Sequence, residues 1–323
     1  MSRDFSLSQA IVGFKIAKIA EGYSPGTLSS YESRLNNLAR FLGDINVVDI
    51  ESTNLKEFMY FLRTDYKPQR PNGDCSPLTE ASLHCYWKAM RSFWNWLNIE
   101  FKIEPIAKEL KAPEYTNKPT TPFTKDEIKL LVKSCNYSAN ANTTSRTSYK
   151  QRRPTANRDK AIVLFLLDTG VRVGECVRLK LCDVDIESGQ VNILNHRRGL
   201  KSKGRFVFIG NSAKRYLWRY LSMRESLYEN DTLFLNREDN PMSKGAVKNL
   251  IRRLGERTGV KANPHKFRHT FAIEYLRNGG DIYTLKKLLG HSTFEMVNRY
   301  LSIAQSDIAE AHRRASPVDR WGL

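Results

Sequence analysis

Two arginines, two histidines and a tyrosine stand in spacings that could serve phosphodiester chemistry. The chain reads His265-Lys266-Phe267-Arg268-His269, then Leu289-Gly290-His291-Ser292, then Asn298-Arg299-Tyr300-Leu301. Far upstream lies Thr169-Gly170-Val171-Arg172-Val173-Gly174-Glu175. A phosphodiester repels nucleophiles, and its transition state gathers negative charge on two non-bridging oxygens. Arginine offers planar, permanently charged, bidentate donors, so Arg172 and Arg268 can clamp those oxygens. Tyr300 is a candidate nucleophile, but a phenol of pKa about 10 needs nearby positive charge or a base to ionise as it attacks. The arginines supply charge, and His265 can accept the proton. His291 would hydrogen-bond a non-bridging oxygen, although a histidine after a glycine also serves as a helix cap. Taken alone, Tyr300 is one of 14 tyrosines and a packing role would be the better reading. If the whole set converges, the protein cuts DNA and holds it covalently without a metal.

The elements that must position this set lie in the basic part of the chain. Of 323 residues, 52 are Lys or Arg and 34 are Asp or Glu, a net charge of +18. Residues 1–118 hold 15 basic and 14 acidic side chains, whereas residues 119–323 hold 37 and 20. The excess therefore accompanies the reactive residues, and a polyanionic partner, DNA or RNA, is expected. Thr124 with Glu127 makes a capping box that opens a helix. Residues 136–157 are rich in Asn, Ser and Thr, and no acid occurs between Glu127 and Asp159. This stretch reads as a mobile basic loop, either touching phosphates through residues such as Arg152 and Arg153 or simply solvated. Asn157–Thr169 reads as an apolar helix broken by Gly170, and Val173–Leu179 as a short one. Gln190–Leu194 and Arg205–Ile209 are β-prone, and the turn between them, with Arg197, Arg198, Lys201 and Lys203, suits a hairpin. Asp183–Ile186 could add a third strand. From Ser212 the pattern is helical again, with a break at Asn236–Met242.

Residues 1–111 read as a small helical bundle. Phe5–Ile19, a segment capped by Ser24 with Pro25 at its first position and stopping near Gly43, Asn54–Leu62 and Thr79–Leu97 have helical periodicity. The aromatic stripe Tyr86, Trp87, Phe93, Trp94 and Trp96 reads as bundle core. Residues 112–122 carry Pro113, Pro119 and Pro122 without periodicity and read as a linker to a catalytic domain over 123–315, followed by a tail, 316–323, too short to fold alone. No apolar run reaches the ~18–20 residues of a membrane helix. The first residues lack the charged-then-apolar pattern of a secretion signal, so a cytoplasmic, nucleoid-associated protein is expected. The five cysteines form no CxxC pair and read as reduced, mostly buried thiols. With six histidines and no HExxH, neither a metal nor another cofactor is expected.

Over about residues 119–315 the chain resembles the tyrosine recombinases and phage integrases, in particular the Xer-like site-specific recombinases. Thr169–Glu175 resembles that family's first arginine box, His265–His269 its His-x-x-Arg box, and Leu288-Leu289-Gly290-His291 followed nine residues later by Tyr300 its closing His and Tyr box. The resemblance implies a mainly α fold with a small antiparallel β-sheet: an N-terminal SAM-like helical core-binding domain and a C-terminal α+β catalytic domain. It implies Arg172, His265, Arg268, His291 and Tyr300 as catalytic residues, and a hairpin lysine as general acid for the leaving 5′ oxygen. Lys201 is the first candidate and Lys203 its competitor, because Lys201 stands four residues before Arg205 where many members show five. Glu175 and His269 would support the site, and Arg152, Arg153, Arg197, Arg198 and Arg205 would meet DNA. The implied reaction forms a 3′-phosphotyrosine on double-stranded DNA and needs four protomers on two sites. Residues 306–314 could form the helix that docks on a neighbouring protomer. Mobile-element integration or excision and Xer-like dimer resolution both fit. A type IB topoisomerase-like nicking and closing enzyme and an inactive DNA-binding protein are the competing readings.

Overall fold

Polar capping residues set where most of the helices begin. In the computed structural model, described over residues 5–70, 73–116, 121–138, 141–143, 146–149, 151–194, 204–224, 231–291, 293–294, 297, 300, 312 and 316–322, the chain divides into two compact units, Met1–Lys118 and Pro119–Leu323. In the first unit Ser6 opens α1 (Leu7–Ala20) in a reciprocal capping box with Gln9. Ser24 caps α2 (Pro25–Leu42), and Gly43, at φ 79°, ends it. Helix α3 spans Ser52–Thr64, and α4 spans Glu80–Phe101 behind the cap Thr79. Their apolar faces meet in one core that contains Phe14, Leu35, Leu38, Phe58, Leu83 and Phe93. Tyr86, Phe93, Trp94 and Trp96 are buried in it. Trp87 lies at its edge and donates its indole N–H to the Leu110 carbonyl at 2.9 Å. The aromatic stripe is core, each large ring contributing roughly 1.5–3 kcal/mol by burial.

The second unit starts with α5 (Lys125–Ser134), opened by the Thr124–Glu127 capping box. Residues 136–157 are not the continuous loop expected from their composition. They include an antiparallel pair, β1 (Ala141–Thr143) with β2 (Arg146–Tyr149). Backbone hydrogen bonds from Ser138 to Gln151 and from Arg153 to Asn136 bring the two ends together, and Thr and Tyr suit extended backbone. Helix α6 (Ala156–Thr169) ends at Gly170, at φ 60°, and α7 is a single turn, Val173–Cys176. The expected extension of α7 to Leu179 fails because the chain turns to pair with a neighbouring segment, Leu233 donating to the Leu179 carbonyl at 2.8 Å.

Strands β3 (Gln190–Ile193) and β4 (Arg205–Phe208) are antiparallel with Val191 opposite Val207, and both valines are buried. The expected third strand reduces to one isolated bridge, Val184 to Val191. Asp185 instead caps a turn, its carboxylate accepting from the backbone of Glu187 and Ser188. Helices α8 (Asn211–Leu221), α9 (Lys244–Thr258), α10 (Pro264–Arg277) and α11 (Ile282–Leu289) complete the unit. Its core includes Ile162, Phe165, Leu166, Val191, Val207, Phe234, Leu254 and Phe267.

Two of the cysteines, Cys135 and Cys176, are buried, and burial pushes both thiols up to about 12. Cys75, Cys85 and Cys182 are exposed, which corrects the expectation of mostly buried thiols: three of the five lie at the surface and outside the hydrophobic cores. The expected docking helix over 306–314 lies outside the described residues apart from His312. The tail does hold a helical turn, Pro317–Trp321, capped by Ser316, whose own N–H donates to the His312 carbonyl at 2.7 Å. Among the described residues no helix is long and apolar enough to cross a membrane, and no group of three His, Cys, Asp or Glu side chains could hold a metal ion.

Candidate active site

Gly170 shows how local sequence builds the site. It closes α6 in the left-handed conformation, and a Cβ there would stand 2.4 Å from the Phe271 ring. Its carbonyl is thereby turned to accept from Arg268 Nη1 at 2.8 Å, while Arg268 Nη2 donates to the Leu289 carbonyl at 2.7 Å. Arg268 sits in the second turn of α10, whose start is set by the cap Asn263 and by Pro264. Its guanidinium is buried, and burial with the charges of Arg172 and Arg205 pushes it down to about 9. A cation held this way is poised for an anion.

Arg172 precedes α7 as its cap residue. Glu175, three residues on, accepts from the Arg172 backbone N–H at 2.8 Å and from its Nη1 at 3.2 Å. The same carboxylate accepts from Arg205 Nη1 at 3.1 Å and Nη2 at 2.7 Å. Burial opposes ionisation of Glu175, but Arg205 and then Arg172 outweigh it and hold the carboxyl at about 2. Glu175 therefore orients Arg172.

His291 follows Gly290, the left-handed cap of α11, and is buried. Burial and the charges of Arg268, Arg172 and Arg205 push its imidazole down to about 4, so it is neutral at pH 7. Its Nδ1 is buried without a hydrogen-bond partner among the described residues. His265 lies in the first turn of α10 at the surface; contact with protein, then Arg268, Lys248 and Arg172, lower its pKa as well. Tyr300 is buried against Ala272, Ile273, Leu285, Leu289 and Val297. Its ring centroid is 5.4 Å from that of His269 and 6.4 Å from that of His291.

The structure thus gathers Arg172, Glu175, Arg205, His265, Arg268, His269, His291 and Tyr300 from five stretches of chain. Lys201, Lys203, Arg197 and Arg198 lie outside the described residues. Arg152 and Arg153 belong to another place. Arg152 is exposed in a bridge with Tyr137, and Arg153 pairs with the fully buried Asp159 at 2.9 Å. Sequence reasoning missed Lys244 and Lys248 of α9. Lys248 adds positive charge at His265, and the Lys244 side chain lies 2.8 Å from where a Cβ on Gly174 would stand. Their signal was present: α9 buries Val247, Leu250, Ile251 and Leu254, which leaves positions 244 and 248 on one other face.

Residues 122–306 match the phage integrase family, and residues 14–96 match the phage integrase SAM-like domain. The chain belongs to the phage integrase family. By that membership it is a tyrosine recombinase, a site-specific recombinase by class. Among integrase-family relatives, the tyrosine recombinase XerC of Oceanobacillus iheyensis is 28% identical over 311 residues, covering 93% of each chain. The Tn1549 transposon integrase in complex with a circular intermediate DNA has the same fold at 15% identity, with a TM-score of 0.71 over 95% of this chain and 99% of that one. A lambda integrase tetramer bound to a Holliday junction matches at 16% identity, with a TM-score of 0.67 over 90% of this chain and 79% of that one.

Proposed function

We propose that this integrase-family enzyme cleaves and rejoins DNA at specific sites through a 3′-phosphotyrosine on Tyr300. The observation that carries the reading is the burial of the Tyr300 ring beside His269 and His291, in the unit where Arg268 and Arg172 share one electrostatic neighbourhood. Arg172 and Arg268 hold the non-bridging oxygens of the scissile phosphate. The neutral His291 donates a hydrogen bond to one of them. His265, kept neutral by its surroundings, takes the phenolic proton as Tyr300 Oη bonds to phosphorus. The 5′ oxygen leaves with a proton from a hairpin lysine, Lys201 or Lys203. A 5′ hydroxyl of a second duplex then attacks the ester, restores a phosphodiester and frees Tyr300. Each step exchanges one P–O bond for another, so the cycle uses neither ATP nor a metal.

The partners are double-stranded DNA sites and further copies of the chain, four protomers on two duplexes. The likeness to the lambda integrase tetramer on its junction supports this assembly. The net charge of +17 on residues 119–323 supports DNA as the polyanion. Arg152, Arg197 and Arg198 add positive charge for its backbone, whereas Arg153, expected among them, pairs its charge with the buried Asp159. The 93% mutual coverage with a XerC supports a chromosome-dimer-resolution type of role in the cytoplasm, and the fold of the Tn1549 integrase equally supports mobile-element integration or excision. The test is an incubation with two marked copies of a matched site. Reciprocal recombinant strands are expected; relaxation of supercoils without exchange would assign the chain to topoisomerase-like nicking and closing.

A further inference from the structure

Arg205 carries an observation that DNA contact does not explain. It is the first residue of β4, directly after the hairpin turn, and a basic hairpin residue would be expected to face phosphates. Its side chain is instead only 16% exposed and turned into the protein. Nη1 and Nη2 donate side by side to the two oxygens of Glu175 at 3.1 and 2.7 Å. Nε donates to the Leu288 carbonyl at 2.7 Å. The Arg205 side chain packs against Gly290: a Cβ there would meet its Nη1, Cδ and Cζ at 3.1–3.2 Å. Three parts of the site therefore join at one side chain. They are the arginine box through Glu175, the hairpin strand through Arg205 itself, and the His291 segment through Leu288 and Gly290.

We infer that Arg205 is a positioning residue for strand cleavage, acting through Glu175 on Arg172. The inference rests on the phosphotyrosine reading above. The chemistry is directional. Glu175 must stay ionised to hold Arg172 by its backbone N–H and Nη1, and Arg205 is the largest influence keeping that buried carboxylate charged. Without Arg205 the carboxylate loses its bidentate partner, and Arg172 loses a fixed support. A clamp arginine displaced by about 1 Å costs on the order of 100-fold in rate. A lysine at 205 keeps the charge but cannot form the fork to both Glu175 oxygens and the bond to Leu288 together. Because Arg172 serves the non-bridging oxygens, the defect belongs to the clamp and not to protonation of the leaving group.

The experiment uses the full-length protein on its recombination site with two substrates, a normal nicked suicide duplex and one with sulfur at the 5′ bridging position. Sulfur leaves without a proton, so it rescues loss of a general acid and not loss of an oxyanion clamp. Arg205→Ala is expected to bind DNA as wild type does and to form the covalent adduct about 100-fold more slowly at saturating DNA, with no rescue by sulfur. Arg205→Lys is expected to recover part of the rate. Glu175→Gln is expected to slow cleavage similarly, and the double variant Arg205→Ala, Glu175→Gln to be no slower than either single one. The inference is overturned if Arg205→Ala weakens DNA affinity and its salt dependence while cleaving normally when saturated, which is the behaviour of a phosphate contact. It is equally overturned by rescue with sulfur, or by additive single effects. If Arg205→Ala does not fold, a folded Arg205→Lys that cleaves at the wild-type rate overturns it. Absence of any adduct with the wild-type protein would instead sink the phosphotyrosine reading itself, and this inference with it.

Discussion

At Arg268 two backbone carbonyls do work that a surface arginine leaves to water. Both are satisfied by this guanidinium, so Arg268→Ala removes two charge-assisted hydrogen bonds and leaves two acceptors to find other donors. That is expected to cost about 3 kcal/mol of stability besides strand cleavage, read by urea unfolding of the DNA-free protein. An unfolding midpoint equal to wild type would show that the carbonyl contacts carry no stability. His291 gives a pH signature. In the unfolded chain its imidazole binds a proton near pH 6.5, but in the folded protein only near pH 4. Across that window the unfolded state holds more protons, so stability rises with pH and is lost as pH falls from 6.5 through 4. Glu175, held at about 2 against an ordinary 4.5, extends the acid loss below pH 4.5 with the same sign. The variant His291→Gln is expected to make the stability profile shallower between pH 6.5 and 4, the lowered His265 keeping part of the slope, and to leave the loss below pH 4 in place. An unchanged slope in the upper window would remove His291 as its source.

At the scale of elements, the turn at Gly170 joins the fold to the site. Gly170→Ala would force a side chain into positive φ and place its Cβ 2.4 Å from Phe271. A loss of more than about 2 kcal/mol is expected by chemical denaturation, with slower cleavage because the carbonyl that holds Arg268 shifts. A fully stable Gly170→Ala protein would show that the turn is not under this constraint. The helices were legible where capping residues met apolar periodicity: Ser24 with Pro25 and Thr124 with Glu127 sit where their helices start, whereas the first helix, read from Phe5 on periodicity alone, starts at Leu7 behind the Ser6–Gln9 box. The strand pair β3 and β4 was legible from its β-branched and aromatic runs. The strand pair inside 136–157 was not, because Asn and Ser composition speaks for loop while backbone closure at its base is a tertiary event. The single turn of α7 was overread for the same reason, since the Leu179–Leu233 pairing joins residues more than fifty apart. In the site, residue types and order named Arg172, Arg268, His291 and Tyr300. They did not reveal the inward fold of Arg205, which packs where Gly290 has no side chain, nor the use of the Gly170 and Leu289 carbonyls.

Over the whole molecule, charge is divided between the two units. A neutral first unit and a strongly basic second one imply DNA binding driven by release of counterions from phosphates. Affinity for the recombination site is expected to fall by at least about 10³-fold between roughly 50 and 200 mM salt. A salt-independent affinity, measured by anisotropy with labelled DNA, would contradict a phosphate-dominated interface. The central claim is covalent attachment through Tyr300, and one measurement tests it most directly. The wild-type protein and Tyr300→Phe are incubated with a matched DNA site nicked beside the cleavage position, and denaturing electrophoresis followed by peptide mapping locates any linked strand. The phosphotyrosine account predicts a denaturant-resistant adduct for the wild type, mapped to the peptide containing Tyr300, and none for Tyr300→Phe. An adduct formed equally by Tyr300→Phe, or one mapped to another residue, would contradict it.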